Sequence, residues 1–449
     1  MRNEARSPIE DAVSESCGQG AGGKGPARLR IANRDQVAPV PAYLDALLPE
    51  DHLARLIWEV VQRLDLSAFY EGLVVVEGGP GRAAADPKIL VALWMYGTSQ
   101  GVTSARALDR LCVEHLAYIW LCGGVSMNYH SLSDFRVQHG TALDRLMTEV
   151  LGRLRYADLI EFEHIAQDGV RVRASAGAAS FRRQPTLEEC LAEAREYLAQ
   201  LSSRDESNDD DRPSGHKQAA RERAARERLE RIEAALAEMP AARAAKAKKE
   251  QDRARVSTTD PEARVMKMAD GGFRPAYNFQ FAADTANRVI VGVEVSNVGS
   301  DMGQAPGMVQ QMEGRLGRLP NDWLMDGGFA SRPSIEDIEA QGIRVLAPVQ
   351  APKDPGRDPH QPLPEDSPVI GDWRVRMGTE EAKETYRLRA ATIELVNAQA
   401  RTWHGLTQLG VRGLAKARCV ALWVAITHNI LVGLRALLGL DRAPRGLAA

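Results

Sequence analysis

Residues 321–331 read Asn321-Asp322-Trp323-Leu324-Met325-Asp326-Gly327-Gly328-Phe329-Ala330-Ser331. Trp323, Leu324 and Met325 are a short apolar run that stops at an acid and two glycines, the pattern of a buried strand whose tip presents a carboxylate at a tight turn. In open α/β sheets, ligands and catalytic groups collect at the carboxyl ends of strands. Taken alone, Asp326 reads as the first residue of a turn. Partner acids elsewhere would make it a site residue.

Two candidates stand out. In Ile165-Ala166-Gln167-Asp168-Gly169-Val170-Arg171-Val172 the alternation is that of a strand, and positions 166, 168, 170 and 172 share a face that reads Ala, Asp, Val, Val. A carboxylate on an apolar face costs several kcal/mol unless it is paired, hydrogen-bonded or bound to metal. The third acid, Glu394, lies on a helix expected over Glu380–His404, between Ala391 and Ala398 and bracketed by Arg387 and Arg401 on an α-helical face. On that helix alone, an ordinary solvated face with ion pairs is the better explanation. Three acids from two strands and a helix supply the carboxylate oxygens that Mg2+ or Mn2+ prefers. Two such ions would serve an in-line phosphoryl displacement. No Walker loop, Ser/His/Asp set or thiolate nucleophile competes with this reading.

The rest of the chain fits an ordinary soluble protein of 449 residues, 44% hydrophobic and 26% charged. The net charge of −3 conceals a carboxyl-terminal segment, 371–449, with 12 basic and 6 acidic residues, suited to phosphate. Five scattered cysteines show neither a disulfide framework nor zinc spacing, so a reducing cytoplasm is expected, with no signal peptide. The apolar run Cys419–Leu440 contains Thr427, His428, Asn429 and Arg435, and reads as a buried core helix rather than a membrane span.

Residues 1–36 are polar and read as a disordered tail. Helical periodicity fills 37–157, including an Asp86-Pro87 cap-then-proline start. Strand texture begins near residue 158. It is interrupted at about 186–257 by a segment with fifteen basic and sixteen acidic residues, a helical hairpin with solvated faces. It then resumes as a hairpin of strands over 273–295, the 323–325 run and a strand over Ile343–Val349. A loop over 351–368 and two final helices complete a mixed α/β layout around a central sheet up to residue 440, with 441–449 as a tail.

These elements together resemble a bacterial insertion-sequence transposase of the DDE class, in the IS4/IS5-like superfamily and nearest the IS1182-type group. The resemblance is carried by Asp168-Gly169-Val170-Arg171, by Asp260-Pro261-Glu262-Ala263-Arg264 with Gly271-Gly272 and Ala276-Tyr277-Asn278, and by Asp326-Gly327-Gly328-Phe329. Tyr386-x-x-Arg389 followed by Glu394 and Arg401, and finally His428-Asn429, complete it. Pro87, Tyr96-Gly97, Ser104-Ala105-Arg106, His130-Ser131 and Phe135-Arg136 resemble the group's amino-terminal domain. Arg401 stands where the signature has Lys, keeping the charge but changing donor geometry.

The resemblance implies an RNase H-like catalytic core over 158–440, preceded by an all-helical DNA-binding domain over 37–157. It implies Asp168, Asp326 and Glu394 as catalytic metal ligands for two Mg2+ or Mn2+ ions, and Tyr386, Arg387, Arg389 and Arg401 as DNA contacts. The implied partners are terminal inverted repeats, target DNA and at least one further subunit, with no membrane, in the bacterial cytoplasm and on the nucleoid. Two alternatives remain open: a catalytically silent DNA-binding, repressor or synapsis protein, and a metal-dependent nuclease without strand joining.

Overall fold

The structure, a computed structural model, describes residues 43–71, 84–204, 215–352 and 356–440. The tails expected at 1–36 and 441–449 lie outside them. The unit that begins at Leu47 contains the sheet and its helices.

The amino-terminal part of this unit is helical: α1 (Leu53–Arg63), α2 (Pro87–Ser99), α3 (Ala105–Glu114), α4 (Leu116–Cys122), α5 (Tyr129–Gln138) and α6 (Gly140–Tyr156). The expected start of α2 is present. Asp86 accepts from Lys88 N, Pro87 fills the first turn where its missing N–H costs nothing, and ten of the thirteen residues are buried. Asn128 and Ser104 cap α5 and α3 in the same way.

The sheet is built from β1 (His164–Arg173), β4 (Arg264–Lys267), β5 (Phe273–Asp284), β6 (Ile290–Ser296), β7 (Asp322–Leu324) and β8 (Arg344–Leu346). β1 is its centre. It runs antiparallel to β5, from Ile165↔Asp284 to Arg173↔Ala276, and parallel to β7, which is parallel to β8. β4 and β6 share the far edge of β5, at its two ends, both antiparallel. Helices α9 (Ala305–Leu316) and α10 (Arg332–Glu339) make the crossovers into and out of β7. The edge run expected over Ile343–Val349 pairs only through its first half.

Between β1 and β4 the chain makes a two-stranded ribbon, β2 (Phe181–Arg182) with β3 (Val256–Ser257), and the expected hairpin, α7 (Gln184–Arg204) and α8 (Gly215–Ala244). The hairpin and ribbon keep a small core of their own: Leu187, Ala235, Met239, Ala242, Ala254 and Val256. Elsewhere one apolar cluster runs without a break from α1 to the last helices.

The carboxyl-terminal helices differ from expectation in two ways. A helix not foreseen, α11 (Pro368–Gly378), starts where Ser367 accepts from Ile370 N; the Ser367-Pro368 pair was its signal. The helix expected over Glu380–His404 is α12 (Glu380–Arg389), a π-helical turn (Ala390–Glu394) and α13 (Leu395–Thr402). Helix α14 (Leu414–Val432) is long and apolar enough to cross a membrane, yet 72% of that window is buried in the protein. Its Trp423 indole donates to Arg136 O at 3.1 Å, and Asn429 makes two 2.8 Å bonds to the backbone of Ile290, clamping the start of β6. Leu434–Leu438 follows as a separate turn after Gly433.

Candidate active site

The tip of β7 lies where its sequence put it. Trp323, Leu324 and Met325 are fully buried, the Trp323 indole donates to Gln167 Oε1 at 3.1 Å, and Asp322 is locked by Arg344 and His164. Asp326 is half-buried just beyond the strand, and its Oδ1 accepts from Gly328 N at 2.8 Å. The turn expected at this residue is therefore present.

Asp168 sits in the middle of β1, next to β5 on one side and three residues past Ile165, which pairs with Trp323 of β7 on the other. Its side chain is 19% exposed. Oδ1 accepts from Gly169 N at 2.8 Å, and Oδ2 receives Asn397 Nδ2 at 3.3 Å and Arg389 Nη2 at 3.3 Å. The same guanidinium gives Nη1 to Glu394 Oε1 at 3.1 Å. Arg389 thus stands between Asp168 and Glu394, itself buried. Residues five apart lie far around an α-helix from each other, but the wider π turn carries Arg389 and Glu394 into one ion pair.

Burial pushes the Asp168 carboxyl up to about 6, opposed by Arg389 and the Gly169 N–H and reinforced by the charges of Asp326 and Asp301. Tyr386, half-buried one turn before Arg389, is raised first by burial, then by Asp326, Glu394 and Asp168, with Arg389 acting the other way. All three acids therefore act on Tyr386, and Asp326 acts on Asp168 as well. Among the described residues, however, no three His, Cys, Asp or Glu side chains are grouped closely enough to hold a metal.

Asp168 and Glu394 open into a groove of about 810 Å3, also lined by Arg171, Arg173, Lys267, Arg274 and Arg401. Arg401 is thereby brought to the acids. Arg387 is not: it is exposed and lies beside Glu380. Arg389, expected on DNA, is occupied by the two carboxylates.

Sequence reading missed the floor of this site. Asp301 accepts from Asn278 and Gln280 through Oδ1 and from Arg171 through Oδ2, each at 2.7 Å, and so ties β1 to β5 beneath Asp168. Gly169 lies over that carboxylate, and a Cβ there would collide with Asp301, Gln280 and Asn278. Asn397 was also missed. It is buried, and its Oδ1 has no hydrogen-bond partner. A glycine directly after an acid in a strand was the available signal.

Two family models match the chain: Transposase domain (DUF772) over residues 42–138, and Transposase DDE domain over residues 367–432. The first covers the amino-terminal helices α1 to α5, the second the segment that carries Arg389, Glu394 and Asn397. No curated protein and no solved structure matches. The fold and the matches define a transposase with a helical amino-terminal region and a mixed α/β sheet. Both matches indicate a DDE transposase of an insertion sequence, and the IS1182-type group fits them.

Proposed function

We propose that the protein cuts DNA at the ends of its element and joins those ends to target DNA, with Asp168, Asp326 and Glu394 as the catalytic acids. The observation that carries this reading is the meeting of Asp168 and Glu394, 226 positions apart in sequence, on one guanidinium at the edge of a cation-lined groove, within the field of Asp326. The strand order β6-β5-β1-β7-β8, three antiparallel strands followed by two parallel ones, supports an RNase H-like core.

Carboxylate oxygens are the donors that a hard divalent cation takes, and Asn397, whose Oδ1 has no hydrogen-bond partner, lies against Asp168. Asp168, Asp326 and Glu394 would hold Mg2+ or Mn2+, as one ion or two. When bound, such an ion polarises phosphoryl oxygens and stabilises the charge of the leaving oxygen. The chain's own residues bind and orient. Arg401 and the groove cations hold backbone phosphates, with Tyr386 and Arg387 as further contacts. Arg389 stands between the two acids and opposes protonation of Asp168. In the first step water oxygen bonds to phosphorus as the bridging P–O3′ bond breaks, leaving a 3′-hydroxyl. In the second, that hydroxyl oxygen bonds to a target phosphorus and a target 3′-oxygen leaves.

The region 37–157 is assigned to DNA binding, which the transposase domain matched over 42–138 supports, and synapsis of two ends calls for at least two subunits. The test is cleavage of an element-end duplex with Mg2+: Asp326→Asn is expected to bind the duplex normally and cut nothing. Full cleavage by that variant would sink the assignment. A second reading, a silent DNA-binding or synapsis protein, draws on Arg389 occupying the space between Asp168 and Glu394. Wild-type protein that binds but never cuts would favour it. Cutting without a joined product would indicate a nuclease.

A further inference from the structure

At the base of the helical hairpin, away from the acids, four arginines converge. Arg182 comes from β2, Arg228 and Arg231 stand one turn apart on α8, and Arg412 lies in the loop before α14. With Thr258 and Thr259 they line a cavity of about 300 Å3, and among the described residues no Asp or Glu lines it. The acids nearest the α8 arginines are loosely placed, Glu193 at 3.8 Å from Arg228 and Glu227 at 3.8 Å from Arg231. Arg182 donates to the backbone oxygens of Ala179 and Phe181.

The hairpin is nearly charge-balanced as a whole, so this concentration of one sign is a matter of placement. Guanidinium groups so arranged repel one another and present donors only, as do the threonine hydroxyls in part. That set matches the oxygens of a phosphate group, which arginine pairs with bidentately.

We infer that this cavity holds a backbone phosphate of the DNA whose neighbouring phosphates lie in the catalytic groove. The inference rests on the proposed function, because the groove decides the source of the phosphate. Thr407 lines the groove and Arg412 the cavity, five residues on; Arg173 lines the groove and Arg182 the cavity, nine residues on. Leu409 N donates to Arg173 O at 2.8 Å, so both connections leave from the same end of β1. Five residues of chain reach at most about 17 Å, roughly the rise of five nucleotides of one strand at about 3.4 Å each. The hairpin thus serves as a second hold on the strand, outside the cutting site.

The test compares wild type with Arg228→Gln/Arg231→Gln in duplex binding across a salt series, with Arg221→Gln/Arg223→Gln, on the same helix but outside the cavity, as the charge-matched control. Each neutralised phosphate contact contributes a salt slope of about 0.9. The cavity variant is expected to lose about 0.9 from the log K against log salt slope and to bind several-fold more weakly, equally for element-end and unrelated duplexes, while the control keeps the wild-type slope. Equal slopes for wild type and cavity variant would overturn the inference. So would equal losses in the cavity variant and the control. A thermal shift with inorganic phosphate that the cavity variant loses, without any change in DNA affinity, would also overturn it, by marking a small-anion site. Binding is read without catalysis, so absence of cleavage in wild type would count against the proposed function and leave this result standing.

Discussion

Gly169 and Asp168 show how much of the site depends on single atoms. Gly169 has no side chain because the space is taken by Asp301, Gln280 and Asn278. Gly169→Ala is expected to destabilise the protein by about 1–3 kcal/mol through overpacking and to abolish cleavage, as read by urea denaturation alongside the cleavage assay. A variant as stable and active as wild type would contradict the close approach.

Asp168 yields a prediction about pH. Its carboxyl titrates higher in the folded protein, at about 6, than in the unfolded chain, at its ordinary 3.8. The folded state therefore holds the proton more tightly, and stability falls as pH rises from about 4 through about 6 and is level above that. Two units correspond to roughly 3 kcal/mol at about 1.4 kcal/mol per unit, an upper figure for a mostly buried group. In metal-free buffer, Asp168→Asn should gain stability relative to wild type across that window. A pH-independent difference between the two proteins would refute the assignment of the shift to Asp168.

Among the elements, the π turn over Ala390–Glu394 is the one that makes the site. It accommodates one residue more than an α-turn, and so brings Glu394 back to Arg389. Inserting one alanine after Ala391 should lengthen this turn and rotate Glu394 by about 100° relative to Arg389. Circular dichroism is expected to stay unchanged while cleavage disappears; retained cleavage would show that the pairing has no part in catalysis. The expected α-helical face of Glu394, with Arg387 beside it, fails here for the same reason. Offsets counted on 3.6 residues per turn do not hold across a π turn, and nothing in Ala390-Ala391-Thr392-Ile393-Glu394 announces one.

For the molecule as a whole, two cores differ in what they support. The hairpin and its ribbon rest on Leu187, Met239, Val256 and a few neighbours, whereas the sheet and most helices share one large cluster. Leu187→Ala should cost about 2–5 kcal/mol locally. Hydrogen exchange is expected to quicken in α7 and α8 while β1 and α14 keep their protection. Equal loss of protection in all four would mean that the cores unfold together.

The sequence by itself determined most strands of the sheet, the capped start of α2 and the helical hairpin, because these rest on local periodicity and cap chemistry, and it singled out Asp168, Asp326 and Glu394 as candidates. Asp326 at the end of Trp323-Leu324-Met325 and Asp168 on an apolar face are legible in this way. Only the tertiary structure decided what those acids touch. Arg389 between Asp168 and Glu394, Asn397 against Asp168, Asp301 under Gly169 and the arginines of the hairpin base meet across long stretches of chain, through strand register and one widened helical turn. Ion pairs and steric exclusion act over a few ångströms of space, and no spacing along the chain encodes which distant groups come that close.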